Sequence, residues 1–225
     1  MNKVKTIISI LIKFCRKIMF NFRKIKNKNS FWNVYQFDTY EHYLNFQKEK
    51  TMDPLKRNKW LNEEWNSKLE YFKAYFSNIL YKYDLSKNCK TLCLGARTGQ
   101  EVQALIDLGY NNSIGTDLVE TLPLVIVDDV HNMQFESKTF DFIFTNIVDH
   151  VLYPDKFINE VERVAKENCL IIFQLTVGKS TDKYGVTEIS KIDSIIELFK
   201  NSNLIENNEI KEWHGMNCEI ILKKK

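Results

Sequence analysis

Two glycines four residues apart constrain this chain more than anything else in it. Thr91-Leu92-Cys93-Leu94 is a short apolar run rich in β-formers, it stops at Gly95, and Gly99 closes the turn. Beyond Gly99, the residues Val102, Leu105, Ile106 and Gly109 recur at helical spacing, and Ser113-Ile114-Gly115-Thr116 then leads to Asp117. The pattern predicts a strand, a glycine turn, a helix and a second strand with an acid at its tip. A glycine turn lets the backbone approach a ligand closely, the helix behind it offers free amides, and a carboxylate on the next strand can bind ribose hydroxyls. That is the layout of a nucleotide-type cofactor pocket. Arg97 stands in the turn where a smaller residue is expected, and Gly95-Ala96-Arg97-Thr98-Gly99 lacks the GxGxxG spacing of a nicotinamide dehydrogenase.

From residue 86 the periodicity is that of an α/β sheet. Strands are expected at 91–95, 113–117, 124–128, 140–146, 169–175 and 217–223, with helices near 99–108, 154–166 and 188–201. Glu209 to Trp213 and Asn217 to Leu222, around His214-Gly215, read as a terminal antiparallel hairpin. Between Asp117 and Leu124 only about six residues remain, where a parallel crossover usually needs a dozen or more. The helix between the second and third strands is therefore expected to be missing. The third strand becomes a short, displaced edge, a place where Pro123 is tolerated.

Upstream, residues 30–85 are crowded with aromatics and predict a helical cap. Asp53-Pro54 reads as an N-cap and first helical residue, and Trp65, Leu69, Phe72, Phe76, Ile79 and Tyr83 keep a helical stripe. Most of these rings suit a core; those from Phe31 to Tyr43 also suit a lid over a substrate. Residues 1–29 place Ile7, Leu11, Phe14, Ile18, Phe22 and Ile25 on one helical face and most of the cations on the other, which predicts a basic amphipathic helix. Its apolar run is broken by Lys13, short of the roughly 20 residues that span a bilayer. Three roles fit such an arm: a membrane-surface anchor, a cleaved organelle-targeting peptide, or a helix packed on its own protein.

Charge sharpens that division. The first thirty residues hold nine Lys or Arg and no acid, and the remainder has 23 basic against 29 acidic residues, a net of −6. A body of that sign repels a polyanion, so any contact with anionic lipid or nucleic acid falls to the arm, and nucleic acid is the less favoured partner. The five cysteines are scattered without a CxxC pair, which points to reduced thiols in an intracellular protein, cytoplasmic or peripheral to a membrane, and to no zinc cluster.

Read together, these residues resemble the class I S-adenosylmethionine-dependent methyltransferases, most nearly the small-molecule "type 11" group. The likeness covers about residues 86–176 and weakens toward the end. Leu92-Cys93-Leu94-Gly95-Ala96-Arg97-Thr98-Gly99 stands where that group has a Leu-Asp-Leu-Gly-x-Gly-Thr-Gly motif, and Asp117 falls on its ribose-binding acid. Asp129-Val130-His131-Asn132-Met133-Gln134-Phe135 is similar to the family's Asp-Ala-x-x-Leu-Pro-Phe segment, whose leading acid and following amide contact adenine; Asp128 takes that part if the register slips by one. Phe140-Asp141-Phe142-Ile143 is similar to its Phe-Asp-x-Val strand, and Asp149-His150-Val151 with Pro154 and Phe157 resembles its Glu-His-Val and Pro-x-x-Phe steps. The Gly-Ala-Arg-Thr-Gly wording also resembles methyltransferase-like proteins best represented in plants, a likeness that brings no known substrate.

The resemblance implies a Rossmann-like, mostly parallel sheet and S-adenosyl-L-methionine as cofactor. It implies cofactor contacts at Gly95, Ala96, Arg97, Thr98, Gly99, Glu101, Asp117, Leu118, Asp129, Val130 and Asn146, and catalytic roles for His150 and Asp149. Cys93 removes a carboxylate that would favour the cofactor's ammonium group, which Glu101 can serve instead; Arg97 can pair with the cofactor's carboxylate or fill the pocket. Methyl transfer from a sulfonium is an in-line displacement, so alignment is the main task and no metal is required. The implied reaction is methylation of a small-molecule or lipid acceptor near a membrane surface. Two alternatives are a methyltransferase fold that binds without turnover and an RNA methyltransferase that uses the basic arm.

Overall fold

The computed structural model describes residues 22–25, 32–179, 182–213 and 215–225. In chain order its elements are β1 (Phe22–Ile25), β2 (Trp32–Phe37), α1 (Tyr40–Met52), α2 (Pro54–Asn58), a π-helical turn (Lys59–Glu63) and α3 (Trp65–Lys82). Then follow β3 (Thr91–Leu94), α4 (Gln100–Asp107), β4 (Ser113–Asp117), β5 (Val125–Val127), β6 (Phe140–Thr145), a 3-10 turn (Val148–His150) and α5 (Pro154–Val164). The chain ends with β7 (Ala165–Leu175), β8 (Thr187–Ile189), α6 (Asp193–Ile196), β9 (Ser202–Trp213) and β10 (Met216–Lys224).

Seven strands form one sheet in the order β5-β4-β3-β6-β7-β10-β9. β5, β4, β3, β6 and β7 are parallel, and β10 runs antiparallel to both β7 and β9. This is the Rossmann-like mixed sheet with a terminal hairpin. The chain moves from β3 outward to β4 and β5, then crosses back to β6 on the other side of β3. Such a reversal opens a crevice outside the carboxyl ends of the strands, where α/β proteins bind ligands.

Alternation along the strands builds a core on each face of the sheet. Leu92, Leu94, Ile143, Ile171 and Phe173 pack with Phe157, Ile158, Val161 and Val164 of α5. Cys93, Phe142, Phe144 and Ile172 pack on the opposite face with Phe72 and Phe76 of α3 and with Val102 and Leu105 of α4. Because both faces are covered, all four residues of β3 are buried, as parallel strands require. A third cluster seats α1 on the rest: Phe37, Tyr43 and Phe46 meet Leu152, Tyr184 and Val186.

Local rules explain the helix ends. Thr39 Oγ1 accepts the His42 amide at 3.2 Å, and Asp53 Oδ1 accepts those of Leu55 and Lys56 at 3.0 and 3.3 Å, with Pro54 in the first turn. As expected, no helix lies between β4 and β5, β5 is a three-residue edge strand, and Pro123 sits in the link that precedes it.

Three expectations are corrected. The amphipathic helix assigned to residues 1–29 is contradicted at Phe22–Ile25, which is a strand; residues 1–21 lie outside the described residues. The cap over 30–85 is not wholly helical, because Trp32–Phe37 is also a strand. Cross-strand pairing decides both: β1 pairs antiparallel with β2, and β2 with β8. The helix expected over 188–201 is reduced to Asp193–Ile196, since Thr187–Ile189 is taken up by that same small sheet. There the apolar spacing of Ile192, Ile195, Ile196 and Phe199 follows short turns packed on the main core, and β9 starts at Ser202. His214 lies outside the described residues.

Candidate functional site

The cleft forms where the glycine turn, the tip of β4, the loop after β5 and the segment after β6 meet α1 and the π-helical turn. Gly95 and Gly99 have φ of +72° and +89°, in the left-handed region that favours glycine. Arg97, between them, also has positive φ, 51°. Its guanidinium lies 4.4 Å over the ring of Trp60, which the π-helical turn holds nearly buried at the cleft wall. π-Helical turns are rare and concentrate at functional sites. The stack gives Arg97 a fixed cationic position without consuming its hydrogen-bonding fork.

Asp117 sits at the tip of β4 and ties the turn to the sheet. Its Oδ2 accepts the Arg97 amide at 3.1 Å and its Oδ1 the Val119 amide at 3.3 Å. Burial raises the Asp117 carboxyl above its ordinary range, and the Arg97 guanidinium partly offsets this. Leu118, Asp128, Asp129 and Val130 line a small cavity together with Gly95, Arg97 and Asp117. Asp128 is buried and its Oδ1 accepts the Asp129 amide at 3.0 Å, so it caps the loop. Asp129 takes the Tyr40 hydroxyl on Oδ2 at 2.6 Å. Its Oδ1 faces His131 Nδ1 at 3.0 Å, and His131 Nε2 accepts the Tyr153 amide at 3.1 Å, which assigns the imidazole proton to Nδ1. Burial would raise Asp129, yet the bonds from His131 and Tyr40 leave it below the ordinary range.

The small cavity holds about 70 Å³ and shares Lys50, Gly95, Arg97 and His150 with a cleft of about 590 Å³. The larger cleft matches the usual size of ligand sites, on the order of 300–1,000 Å³. Ala96, Thr98, Glu101, Asn146 and Asp149 line that cleft, whereas Gly99 lines neither space. A Cβ on Gly99 would lie 2.8 Å from Leu124 Cβ, so packing against the link before β5 demands glycine there. Thr98 donates to Gln100 Oε1 at 2.7 Å, and Gln100 donates to the Trp60 carbonyl at 3.0 Å, which fixes the π-helical turn to α4.

Glu101 and Cys93 part company in the fold. Cys93 is buried in the apolar core with α3 and α4, where burial pushes its thiol well above the ordinary value. Glu101 lines the cleft from the first turn of α4, and burial pushes its carboxyl up to about 7, against the fields of Arg97 and Lys68. Asp149 and His150 occupy the 3-10 turn beyond β6, and His150 Nε2 lies 3.6 Å from Asp149 Oδ2. Lys50 Nζ donates to His150 Nε2 at 3.1 Å, and burial lowers the His150 pKa, so the imidazole is neutral.

Several cleft residues, Gln47 and Lys50 among them, were missed from sequence. With Tyr40 and Tyr43, two of the aromatics that suit a lid, they are spaced three, four and three apart on α1; all but Tyr40 line the small cavity, and Tyr40 reaches its Asp129. That helical spacing was a usable signal. Ile147, Trp60 and Asp182 carried none, since a loop and a π-helical turn place them.

A cofactor bearing an adenosine and an amino-acid end finds suitable groups here: acids for hydroxyl and amine donors, an arginine for a carboxylate and a buried glutamate for an ammonium. The fit has one obstruction. A Cβ on Gly95 would lie 2.3 Å from Ile147 Cγ2, so the Ile147 side chain covers the bare face of that glycine.

Residues 92–173 match the family model described as a methyltransferase domain. A search of curated protein sequences finds no match. Among solved structures, the PH0226 protein of Pyrococcus horikoshii is 19% identical, with TM-score 0.54 over 67% of this chain and 88% of its own. A SAM-dependent methyltransferase from Aquifex aeolicus is 18% identical, with TM-score 0.52 over 66% and 89%. A SAM-dependent methyltransferase of Thermotoga maritima, titled a possible histamine N-methyltransferase, is 13% identical with TM-score 0.53 over 81% and 99%. At these identities the likeness is one of fold.

Proposed function

We propose, from the premise that residues 92–173 form a class I S-adenosylmethionine-dependent methyltransferase domain, that the chain methylates a small-molecule or lipid acceptor. The observation that carries this reading is convergence: Gly95, Asp117, Asp129 and Val130, separate in sequence, line one cavity that joins the larger cleft.

The cofactor supplies an activated methyl group on a sulfonium, and the protein supplies its orientation. In this reading Asp117 holds the ribose, Asp129 and the Val130 amide hold adenine, and Gly95 and Ala96 contribute backbone. Leu118 packs beside the adenosine end. Arg97 takes the cofactor's carboxylate through its planar fork, and Glu101 takes its ammonium, the part that Cys93 cannot play from inside the core. Asn146 lines the cleft beside them. Trp60 keeps Arg97 in place, and the aromatic side chains of α1 exclude water. Orientation of this kind can contribute on the order of 7 to 11 kcal/mol to barrier lowering.

His150, kept neutral by burial, is in the form a general base needs, with Asp149 beside it to favour the imidazolium once formed. An acceptor hydroxyl or acid would pass its proton to Nε2, the atom that Lys50 now occupies. The basic arm in residues 1–29 places the chain at an anionic membrane surface. Among the described residues no helix is long and apolar enough to cross a membrane.

A second reading, binding without turnover, is favoured by Ile147 over Gly95 and by the burial of Cys93. Calorimetry with S-adenosylmethionine, S-adenosylhomocysteine and NAD separates the two from a dehydrogenase: both sulfur cofactors should bind and NAD should not. Failure of both to bind sinks the methyltransferase reading, and binding with no turnover across a broad acceptor screen favours the second.

A further inference from the structure

We propose that Tyr40, on α1, is a positioning residue of the adenine subsite: with His131 it holds the Asp129 carboxylate so that one acceptor position is left for the purine's exocyclic amine. That position selects adenine over a purine that carries an oxo group in place of the amine. The proposal rests on the methyltransferase reading with Asp129 as an adenine contact, and it adds a residue from outside residues 92–173.

The first observation is how the donors are arranged on Asp129. A carboxylate offers about four acceptor positions, two on each oxygen. Oδ1 accepts the His131 amide at 2.9 Å and the His131 Nδ1 proton at 3.0 Å, so that oxygen is filled. Oδ2 accepts the Tyr40 hydroxyl at 2.6 Å, which among the described residues leaves one position open on it. The Tyr40 oxygen also lies 2.8 Å from His131 Nδ1, so the three groups close a triangle in which each bond polarises the next. Asp129 lines the small cavity with Asp117 and Val130, where a ligand can meet it. A single open acceptor position suits a single N–H. An oxo-purine presents a second acceptor there, and two acceptors face to face leave both unsatisfied.

The second observation is what fixes Tyr40. Its ring stacks on that of Tyr153, just before α5, with centroids 6.1 Å apart and planes 17° apart, and it meets the His131 ring edge-on at 5.6 Å. Tyr43, one turn on, lies 5.5 Å from Tyr40 and 5.6 Å from His131, and donates to the His150 carbonyl at 3.0 Å. This cluster places the Tyr40 hydroxyl before a ligand arrives, so little freedom is lost on binding. Because the ring packing does not need the hydroxyl, Tyr40→Phe removes the bond to Asp129 and keeps the contacts that seat α1.

The third observation concerns the proton on Asp129. Burial favours the protonated carboxyl, and Asp128, Glu160 and Tyr43 are the further acidic groups whose fields it shares, Glu160 being paired with Arg163 at 2.7 Å. The bonds from His131 and Tyr40 outweigh burial and leave the carboxyl below its ordinary range. Loss of the Tyr40 bond therefore raises it, and the group takes up a proton as pH falls. A protonated carboxyl donates as well as accepts, so it no longer distinguishes a carbonyl from an amine.

The test titrates the full chain calorimetrically, at pH 8 and pH 5, with S-adenosylhomocysteine and with S-inosylhomocysteine, in which a carbonyl replaces the purine amine. The ratio of the two affinities cancels whatever acts on their shared ribose and amino-acid ends, titration of Asp117 and Glu101 included. Wild type should prefer S-adenosylhomocysteine by at least about tenfold at both pH values. In Tyr40→Phe the preference should fall between pH 8 and pH 5 by about tenfold, whereas Asp129→Asn, which can turn either end of its amide to the ligand, should show little preference at either. Tyr83→Phe, which removes a phenol bonded to Glu206 away from the cleft, should behave as wild type. A Tyr40→Phe variant that binds both ligands equally more weakly and keeps the wild-type ratio at both pH values overturns the proposal, since Tyr40 then only seats the cap. An equal fall in Tyr83→Phe overturns it too, as does a wild-type ratio in Asp129→Asn. Failure of S-adenosylhomocysteine to bind wild type refutes the methyltransferase reading and this proposal with it; its binding with an unchanged ratio in Tyr40→Phe refutes this proposal alone.

Discussion

Replacement of Glu101 by Gln tests the methionine end of the cleft through stability as well as binding. The carboxyl is buried, and burial raises its pKa from 4.5 to about 7. Below about pH 4.5 it is protonated in both folded and unfolded chains and costs nothing. Between 4.5 and 7 the unfolded chain releases the proton and the folded one keeps it, so stability falls as pH rises; above 7 the loss is constant. At about 1.4 kcal/mol per unit, the interval corresponds to about 3 kcal/mol, and this is an upper figure because the N-terminus of α4 favours a carboxylate in its first turn. Glu101→Gln removes this pH-dependent loss. Urea denaturation should therefore find the variant equal to wild type near pH 4 and more stable at pH 8 by about 2 to 3 kcal/mol, roughly 4 to 12 °C in Tm for a chain of this size. The same variant should bind S-adenosylhomocysteine at least about tenfold more weakly at pH 8, since a neutral amide replaces the charge facing the ligand's ammonium. Wild type should release a proton on binding near pH 6.5, visible as a buffer-dependent heat. A variant that keeps the wild-type pH slope, or that binds the ligand unchanged, refutes the assignment of Glu101.

Arg97→Gly relieves a positive-φ side chain, worth about 1 to 2 kcal/mol, and loses a cation–π contact of about 1 kcal/mol, so denaturation should move by less than about 1 kcal/mol. Its affinity for S-adenosylhomocysteine should fall about tenfold, and an unchanged affinity would mean that Arg97 fills the pocket instead of clamping a carboxylate. Gly115→Ala forces a Cβ to 2.7 Å from Ala96 Cβ and 2.8 Å from Val102 Cγ2, and should destabilise by about 1 to 3 kcal/mol in urea; wild-type stability would deny that β4 packs this tightly on the turn. Deleting residues 1–21 leaves β1 in place and should abolish retention on liposomes containing anionic lipid. Equal retention of both forms rejects the membrane anchor, and RNA retention that falls steeply with salt moves the role of the arm to nucleic acid.

What could be read from the sequence followed the range over which its physics acts. The β3-turn-α4-β4 unit was legible because each boundary carries its own local cause: an apolar run, a glycine with positive φ, a 3.6-residue stripe, and Gly109 with positive φ just beyond the helix. The shortened β4–β5 link was legible because crossover length is a matter of geometry. Phe22–Ile25 and Thr187–Ile189 were not, because neither fragment specifies a strand alone; β2 bridges them from the start of a region whose aromatic content read as helical. The site divides in the same way. Gly95 and Asp117 could be placed because one covalent unit holds them together. Asp129 was identified by motif, but its hydrogen bond from Tyr40 reaches across 89 residues and depends on how α1 docks. The docking of α1 also determines which groups His150 meets. From sequence it is an isolated imidazole after a strand; in the fold Lys50 donates to its Nε2 and Tyr43 donates to its carbonyl at 3.0 Å. The cap that brought no recognisable motif therefore supplies Lys50, Lys56, Lys59 and Lys68 to the cleft, beside Arg97 from the glycine turn. On the proposed reading the groups assigned to the cofactor lie within residues 92–173, whereas Tyr43, Gln47 and Lys50, which line the same cavity, come from α1 outside them, so the two sets can vary independently.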